Sequence, residues 1–133
     1  MTVIQLIDSN VPGSPLSPDT LDAILVGDVR ETIKALPDQC VQSIVTSPPY
    51  FGHRIYTTDA QLQSLELGRE QTYADYVSRL ISIFSGMQRI LKDNGTLWLN
   101  LGDTYRNNQL LGIPWRVALG LQDAGWMLRS EII

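Results

Sequence analysis

Five consecutive residues, Thr46-Ser47-Pro48-Pro49-Tyr50, combine a hydroxyl group, two rigid rings and an aromatic side chain. The exocyclic amine of cytosine or adenine is a poor nucleophile, because its nitrogen lone pair is delocalised into the ring. A catalyst has to accept hydrogen bonds from both N–H groups and so draw them out of the base plane. Ser47 Oγ can accept one of these bonds, and a main-chain carbonyl of the turn can accept the other. The motif therefore indicates chemistry at the amino group of a flat base.

The flanking residues favour a rigid site at the end of a strand. Pro48 and Pro49 have no N–H and a fixed φ, which holds the turn extended and leaves its carbonyls without local donors. Tyr50 can stack on a base that has been flipped out of a duplex. A Pro-Pro-Tyr run can also be a polyproline ligand of a small recognition domain. The apolar segment Val41–Val45 comes directly before it, which indicates a buried strand rather than a polar linker.

The rest of the chain alternates between strand and helix patterns. Residues 1–22 are predicted to form an irregular arm, and residues 23–133 one α/β unit with a mainly parallel sheet. The predicted elements are strand Ala23–Val26, a short helix ending at Pro37, strand Val41–Val45, helix Thr72–Asn94 with a capping box at Thr72 and Asp75, buried strand Thr96–Leu101, helix Pro114–Asp123 and a strand from Trp126 to Ile133.

Several single residues carry two interpretations. Asp28 can be the N-cap of the short helix, or an acid at a strand end that faces a nucleoside. Arg54 can reach a phosphate beside a flipped base, or remain a solvated charge. It lies in residues 51–69, which lack periodicity and are predicted to form a long mobile loop. His53, the only histidine, is expected at the surface, and Cys40 is expected to be a buried structural thiol.

Composition limits the class of protein. The 133 residues carry a net charge of −4, so no basic stripe for DNA phosphates is expected within this chain. One cysteine cannot form an internal disulfide, and no Cys or His spacing suits a metal site. The first ten residues do not resemble a secretory leader, and no apolar run is long enough to span a membrane. These features predict a soluble cytoplasmic protein without a metal.

Together these residues resemble a known family, the amino-group DNA methyltransferases of the permuted class, in which the catalytic motif comes before the cofactor-binding motif. The resemblance rests on Gly27-Asp28, on Leu36-Pro37-Asp38, on the motif 46–50, on Arg54 and Tyr56, and on the segment 95–102 followed by Asp103. It implies a doubly wound, Rossmann-like methyltransferase sheet, S-adenosylmethionine as methyl donor, double-stranded DNA as substrate, and a place in a restriction-modification system.

The resemblance also implies roles for individual residues. Ser47 and the Pro48 carbonyl would contact the target amine, Pro49 would hold the turn, and Tyr50 would stack on the base. Ser in the first position of the motif is commoner among cytosine-N4 enzymes than among adenine-N6 enzymes, so cytosine N4 is the expected target. Asp28 would lie near the cofactor. Substrate contacts would come from Arg54 and Tyr56.

The chain departs from the complete family pattern in one respect. None of its ten glycines forms the Gly-x-Gly part of the Phe-x-Gly-x-Gly turn that cradles the cofactor. We therefore expect the front half of an enzyme, completed by a C-terminal half chain or segment. The resemblance further implies that two strands outside this chain separate strand Ala23–Val26 from strand Val41–Val45. An inactive truncated remnant, an adenine-N6 enzyme, and methylation of RNA or of a protein amide are the alternatives.

Overall fold

The computed structural model describes residues 5–8, 23–59 and 63–132. The chain divides into two compact units, the first formed by residues 1–44 and 86–97, the second by residues 45–85 and 98–133. The elements are β1 (Gln5–Asp8), β2 (Ala23–Val26), α1 (Val29–Thr32), β3 (Val41–Thr46), α2 (Tyr73–Met87), β4 (Leu91–Leu99), β5 (Tyr105–Arg106), β6 (Gln109–Leu110) and α3 (Ile113–Asp123), with 3-10 turns at Ile33–Ala35 and Gln88–Ile90.

Within the described ranges, strand pairing gives three separate two-stranded sheets. In order they pair β1 with β2, β3 with β4, and β5 with β6. The β1–β2 pair is parallel and the β5–β6 pair is an antiparallel hairpin. The described residues therefore show a mixed helix and strand fold with parallel pairing, and not a complete doubly wound sheet. The resemblance implies that strands β2 and β3 do not pair with each other, and in the structure they do not. The two further strands that would lie between them stay a prediction.

Strands β3 and β4 end at the same edge. The Asn100 N–H, directly after β4, donates to the Thr46 carbonyl at the end of β3 at 2.9 Å. Farther back along the two strands, the hydroxyls of Ser43 and Thr96 lie 3.2 Å apart. Positions therefore advance in the same direction along both strands. Their carboxyl ends meet, which is where open α/β sheets bind ligands.

In the first unit, Arg89 ties the segment before β3 to the start of β4. Its guanidinium donates to the carbonyls of Ile33 and Leu36, each at 2.9 Å, and forms an ion pair with Asp38. These bonds need the tight 3-10 turn Gln88–Ile90. Helix α2 therefore ends at Met87, seven residues before the predicted end at Asn94, and the strand begins at Leu91 instead of Thr96.

In the second unit, α2 and α3 pack through a close contact at Gly120. A Cβ on Gly120 would lie 2.2 Å from Ile81 Cδ1, so a larger residue would separate the helices. The fully buried side chains are Tyr76, Leu80, Phe84, Ile113 and Val117. Helix α3 has Pro114 in its first turn, as predicted. Its end is a Schellman motif, in which Gly125 with φ +94° lets the Trp126 N–H donate to the Leu121 carbonyl.

Two other predictions are wrong. Residues 126–132 form no strand, because no strand of the described residues pairs with them. The irregular arm contains strand β1 at Gln5–Asp8, since these residues pair in parallel with β2. The remainder of the arm, residues 9–22, lies outside the described residues, as does Ile133. No helix of the described ranges is long and apolar enough to cross a membrane.

The strands expected to be buried are exposed on one face. Val45 on β3 is 79% exposed and Trp98 on β4 is 52% exposed, both within the second unit. In the first unit, Ile24 and Val26 on β2 are about half exposed. Parallel sheets are normally covered on both faces, and exposed apolar strand faces of this kind favour contact with further protein.

We predict that Thr72→Ala destabilises the second unit by about 1 kcal/mol, the typical effect of losing an N-cap. The Thr72 hydroxyl accepts from the Asp75 N–H at 3.1 Å and donates to the Asp75 carboxylate at 2.6 Å, which confirms the predicted cap. Urea denaturation followed by circular dichroism gives the free energy of unfolding. The exposed Thr58 provides the control, and equal effects of Thr58→Ala and Thr72→Ala would contradict the cap.

Candidate active site

The turn Ser47–Tyr50 follows β3 at the edge where the carboxyl ends of β3 and β4 meet. A buried tyrosine of helix α2 fixes its middle. Tyr76 is 0% exposed, and its hydroxyl donates to the Pro49 carbonyl at 2.7 Å. Burial raises the pKa of Tyr76 far above its ordinary value, with smaller contributions from Glu70 and Tyr50. The tyrosine therefore stays protonated and remains a donor to the turn.

The two carbonyls of the proline pair differ in their partners. The Pro49 carbonyl is occupied by Tyr76, whereas the Pro48 carbonyl accepts no hydrogen bond from any residue that the structure describes. Ser47 Oγ lies 3.2 Å from Tyr50 Oη. A hydroxyl oxygen has two lone pairs, so Ser47 keeps an acceptor position while it is bonded to Tyr50. The turn thus offers two acceptors on neighbouring residues, Ser47 and Pro48.

The Tyr50 ring is held by close packing against glycine. A Cβ on Gly102, just after β4, would lie 2.8 Å from both Cδ2 and Cε2 of Tyr50, so only glycine fits beneath this ring. His53 packs edge-on against the same ring, with centroids 5.9 Å apart. Gly68, at φ +91°, approaches the Tyr50 carbonyl so closely that a Cβ would lie 2.7 Å from its oxygen. Tyr50 therefore has a defined position before any substrate binds.

Asp103 joins the turn region to a short hairpin. Its Oδ1 accepts the N–H groups of Thr104 at 2.8 Å and Ile113 at 3.1 Å, and its Oδ2 accepts the Gly112 N–H at 3.0 Å. The Thr104 hydroxyl donates to the Phe51 carbonyl at 2.8 Å. One carboxylate therefore fixes both ends of the β5–β6 hairpin, and Thr104 attaches that hairpin to the residue after the turn Ser47–Tyr50.

The segment predicted to be a mobile loop is closed on itself in its described parts. The Gly52 N–H donates to the Gly68 carbonyl at 2.8 Å, and the Glu70 carboxylate accepts from Gly68 N–H at 2.9 Å and from Arg79 at 3.0 Å. The Tyr56 N–H donates to Glu66, while the Tyr56 side chain is 60% exposed. The buried carboxylates of Glu66 and Glu70 therefore hold the described parts of the loop through specific bonds, while its mobility stays a prediction.

The loop and the hairpin line an open cleft of about 520 Å³, formed by residues 51–55, 68–71 and 104–106. Three of its lining residues are arginines, Arg54, Arg69 and Arg106. The net charge gave no indication of this local group of arginines, while the expected lack of a basic stripe for DNA phosphates stays a prediction. The three residues are far apart in sequence, and the fold brings them together despite the net charge of −4.

Asp28 and Cys40 lie in the first unit. Asp28 is the N-cap of α1, and its Oδ1 accepts from the Arg30 N–H and from Arg30 Nε, each at 2.9 Å. This confirms the capping interpretation, while a role at the cofactor stays a prediction. Cys40 is exposed, contrary to the predicted buried thiol, because it lies in the connection before β3. The described residues contain no group of three His, Cys, Asp or Glu side chains that could hold a metal ion.

The residues that support the motif 46–50 were not predicted from the sequence. Tyr76 occurs in the apolar pattern of helix α2, but tyrosine in such a stripe gives no sign of which carbonyl its hydroxyl reaches. The Gly102-Asp103 pair was recognised only as the end of a strand. Both residues follow β4 directly, so parallel pairing of β3 with β4 was the signal that could have placed them beside Tyr50.

We predict that Tyr76→Phe lowers the free energy of unfolding by about 1–3 kcal/mol, because it leaves the Pro49 carbonyl without its donor. The parent protein should also lose stability as the pH rises above the ordinary tyrosine value of about 10. The raised pKa of the folded state means that unfolding then releases protons. Denaturation at neutral and alkaline pH measures both effects, with Tyr105→Phe as an exposed control. An unchanged pH dependence in Tyr76→Phe would contradict this role.

Comparison with known proteins supports the resemblance of the motif 46–50 and its surroundings to DNA methyltransferases. A family profile described as DNA methylase, of the N6 and N4 type, matches residues 41–133. The Type II methyltransferase M.SmaI of Serratia marcescens is 36% identical over 139 residues, covering 83% of this chain and 46% of the relative. M.SfiI of Streptomyces fimbriatus is 41% identical and covers 84% of this chain and 29% of the relative. M.Cfr9I of Citrobacter freundii is 37% identical and covers 80% of this chain and 44% of the relative.

No solved structure matches the chain. The chain spans less than half the length of each of these three relatives. The profile match includes the turn Ser47–Tyr50, β4, the hairpin and helix α3, and it extends over more than half of the chain. The chain therefore belongs to the family of amino-group DNA methylases of the N6 and N4 type.

Proposed function

We propose that this chain supplies the catalytic turn of an enzyme that methylates the exocyclic amine of a flipped DNA base, with cytosine N4 as the target. One observation carries the proposal. The Ser47 hydroxyl and the Pro48 carbonyl lie on neighbouring residues, and the Pro48 carbonyl has no donor among the described residues while the Pro49 carbonyl is occupied. These are the two acceptors that an amine needs for its N–H bonds to leave the base plane.

Each residue of the turn has a separate task in this proposal. Ser47 Oγ and the Pro48 carbonyl accept the two amine protons as hydrogen bonds, which localises the lone pair on nitrogen. Pro49 keeps the turn extended and delivers its own carbonyl to Tyr76. Tyr50 stacks on the flipped base, and Gly102 fixes the plane in which it does so. Arg54 and Tyr56, both exposed on the segment that follows, complete the substrate contacts.

S-adenosylmethionine supplies the methyl group in the proposed reaction. Of the residues expected at a site for it, the chain contains Asp28, which also caps α1 and accepts from Arg30, but its sequence contains no Gly-x-Gly turn. The proposal therefore includes a second segment or a C-terminal half chain that carries the cofactor turn and the recognition region. In this proposal, the complete enzyme acts on double-stranded DNA in the cytoplasm.

The exposed strand faces favour the proposal that a further segment covers them. Val45 and Trp98 on the second unit, and Ile24 and Val26 on the first, leave apolar surface on strands that parallel sheets normally bury. The greater length of the three relatives is compatible with additional strands and helices that cover these faces.

We predict that Ser47→Ala lowers turnover by about 10²-fold, the scale seen when one preorganised hydrogen-bonding group is removed from a site. Affinity for the methyl donor should be unchanged, because Ser47 acts mainly in the transition state. The assay uses the complete enzyme, with this chain joined to the segment that carries the cofactor turn. Mass spectrometry of the digested DNA identifies the product as N4-methylcytosine or N6-methyladenine.

Tyr50 variants provide the matched comparison for that assay. Tyr50→Phe keeps the ring and removes only the contact with Ser47, whereas Tyr50→Ala removes the stacking surface. Tyr50→Ala should therefore raise the KM for DNA much more than Tyr50→Phe does. Parent rates in both Ser47→Ala and Tyr50→Ala would show that this turn is not the catalytic site, and N6-methyladenine alone would reassign the target base.

A separate prediction concerns the methyl donor. Titration calorimetry should detect weak or no binding of S-adenosylmethionine by this chain alone, since the residues that would cradle the methionine part are missing from its sequence. The same titration with the complete enzyme provides the positive control. Low-micromolar binding by this chain alone would mean that the cofactor site lies within residues 1–133.

A further inference from the structure

The cleft beside the turn Ser47–Tyr50 concentrates positive charge. Arg54, Arg69 and Arg106 line it from three different segments of the second unit. Among the described lining residues Glu70 alone is acidic, and its carboxylate already accepts from Arg79 at 3.0 Å. The guanidinium groups in the cleft therefore exceed the carboxylate charge available to balance them.

The three arginines are weakly engaged by the protein. Arg69 approaches Glu66 Oε2 only to 3.9 Å, which is longer than a hydrogen bond. Arg54 and Arg106 form no ion pair or hydrogen bond with any described residue. Arg79 and Arg89, in contrast, are each held by a carboxylate and by main-chain carbonyls. Arg79 and Arg89 are thus engaged by the protein, whereas Arg54 and Arg106 keep their donors available among the described residues and Arg69 has only the long ion pair with Glu66.

The cleft is also built on rigid supports. Arg106 lies on the β5–β6 hairpin, whose turn residues Asn107 and Asn108 have φ of 52° and 61°, as in a type I′ turn. The Asp103 carboxylate fixes the base of this hairpin, and Thr104 bonds to Phe51. Glu70, through Gly68, fixes the segment that carries Arg69. The backbone segments that carry Arg69 and Arg106 are therefore held in place by hydrogen bonds.

We infer that this cleft binds the phosphodiester backbone of the DNA strand that carries the target base, with Arg69 and Arg106 joining Arg54 as phosphate ligands. The inference rests on the proposed function, in which the base stacks on Tyr50, because the lining of the cleft begins at Phe51, the residue directly after Tyr50. Guanidinium groups bind phosphate oxygens through paired N–H donors. Tyr105, 70% exposed beside Arg106, offers a stacking surface to a neighbouring unpaired base.

The salt dependence of DNA binding tests this inference without a methyl donor. Fluorescence anisotropy of a short labelled duplex with this chain gives the slope of log K against log salt between about 50 and 200 mM. Each phosphate contact adds about 0.9 to the magnitude of that slope. Arg69→Gln and Arg106→Gln should each reduce it by about 0.9, and the double variant by about 1.8. Arg129→Gln removes one exposed charge outside the cleft and should leave the slope unchanged.

Three results would overturn the inference. The first is equal loss of binding in Arg129→Gln and Arg106→Gln. The second is equal affinity for a duplex with an uncharged methylphosphonate backbone. The third is no measurable binding at the lowest salt. Tighter binding of an RNA strand of the same sequence would reassign the ligand from DNA to RNA. Circular dichroism of each variant checks folding. Since no methyl donor is present, phosphate binding and methyl transfer can succeed or fail separately.

Discussion

The hydrogen bond from the buried Tyr76 hydroxyl to the Pro49 carbonyl is the constraint on which the site depends. Because proline lacks an N–H, the turn cannot secure itself through local backbone bonds and needs a donor from elsewhere. Helix α2 supplies that donor from a fully buried position, where an unpaired hydroxyl or carbonyl would be costly. The bond occupies one carbonyl of the proline pair and leaves the Pro48 carbonyl available, so a packing requirement also selects which acceptor is left for a substrate.

Close packing against two glycines fixes Tyr50, the last residue of the same turn. Gly102 accepts the Tyr50 ring at a distance that excludes any Cβ, and Gly68 does so at the Tyr50 carbonyl. The Asp103 carboxylate then uses its two oxygens to hold the hairpin and the start of α3. The residues after β4 therefore connect the Tyr50 ring to the hairpin that carries Arg106.

Local patterns in the sequence were more reliable guides than long-range ones. The cap at Thr72 and the turn at Pro114 were recognisable because their chemistry depends on near neighbours, as does that of the motif 46–50. The end of α2 was missed because Arg89 bonds to carbonyls more than fifty residues away. The exposure of Val45 and Trp98 was missed for a related reason. An apolar strand pattern predicts that the strand is buried, but the strand is buried only where another layer of protein covers it.

Net charge is a poor guide to where a chain can attract nucleic acid, since it averages over surfaces that act separately. The chain carries −4 overall, yet three arginines from residues 54, 69 and 106 meet in one cleft. Within about 10 Å, the screening length at moderate salt, a phosphate responds to these groups and not to distant carboxylates. In the proposed function, the excess of carboxylates over the rest of the chain would repel DNA from other faces, and the cleft beside the turn Ser47–Tyr50 would attract it. Local basicity in an acidic chain would thereby favour one docking orientation over non-specific binding to DNA.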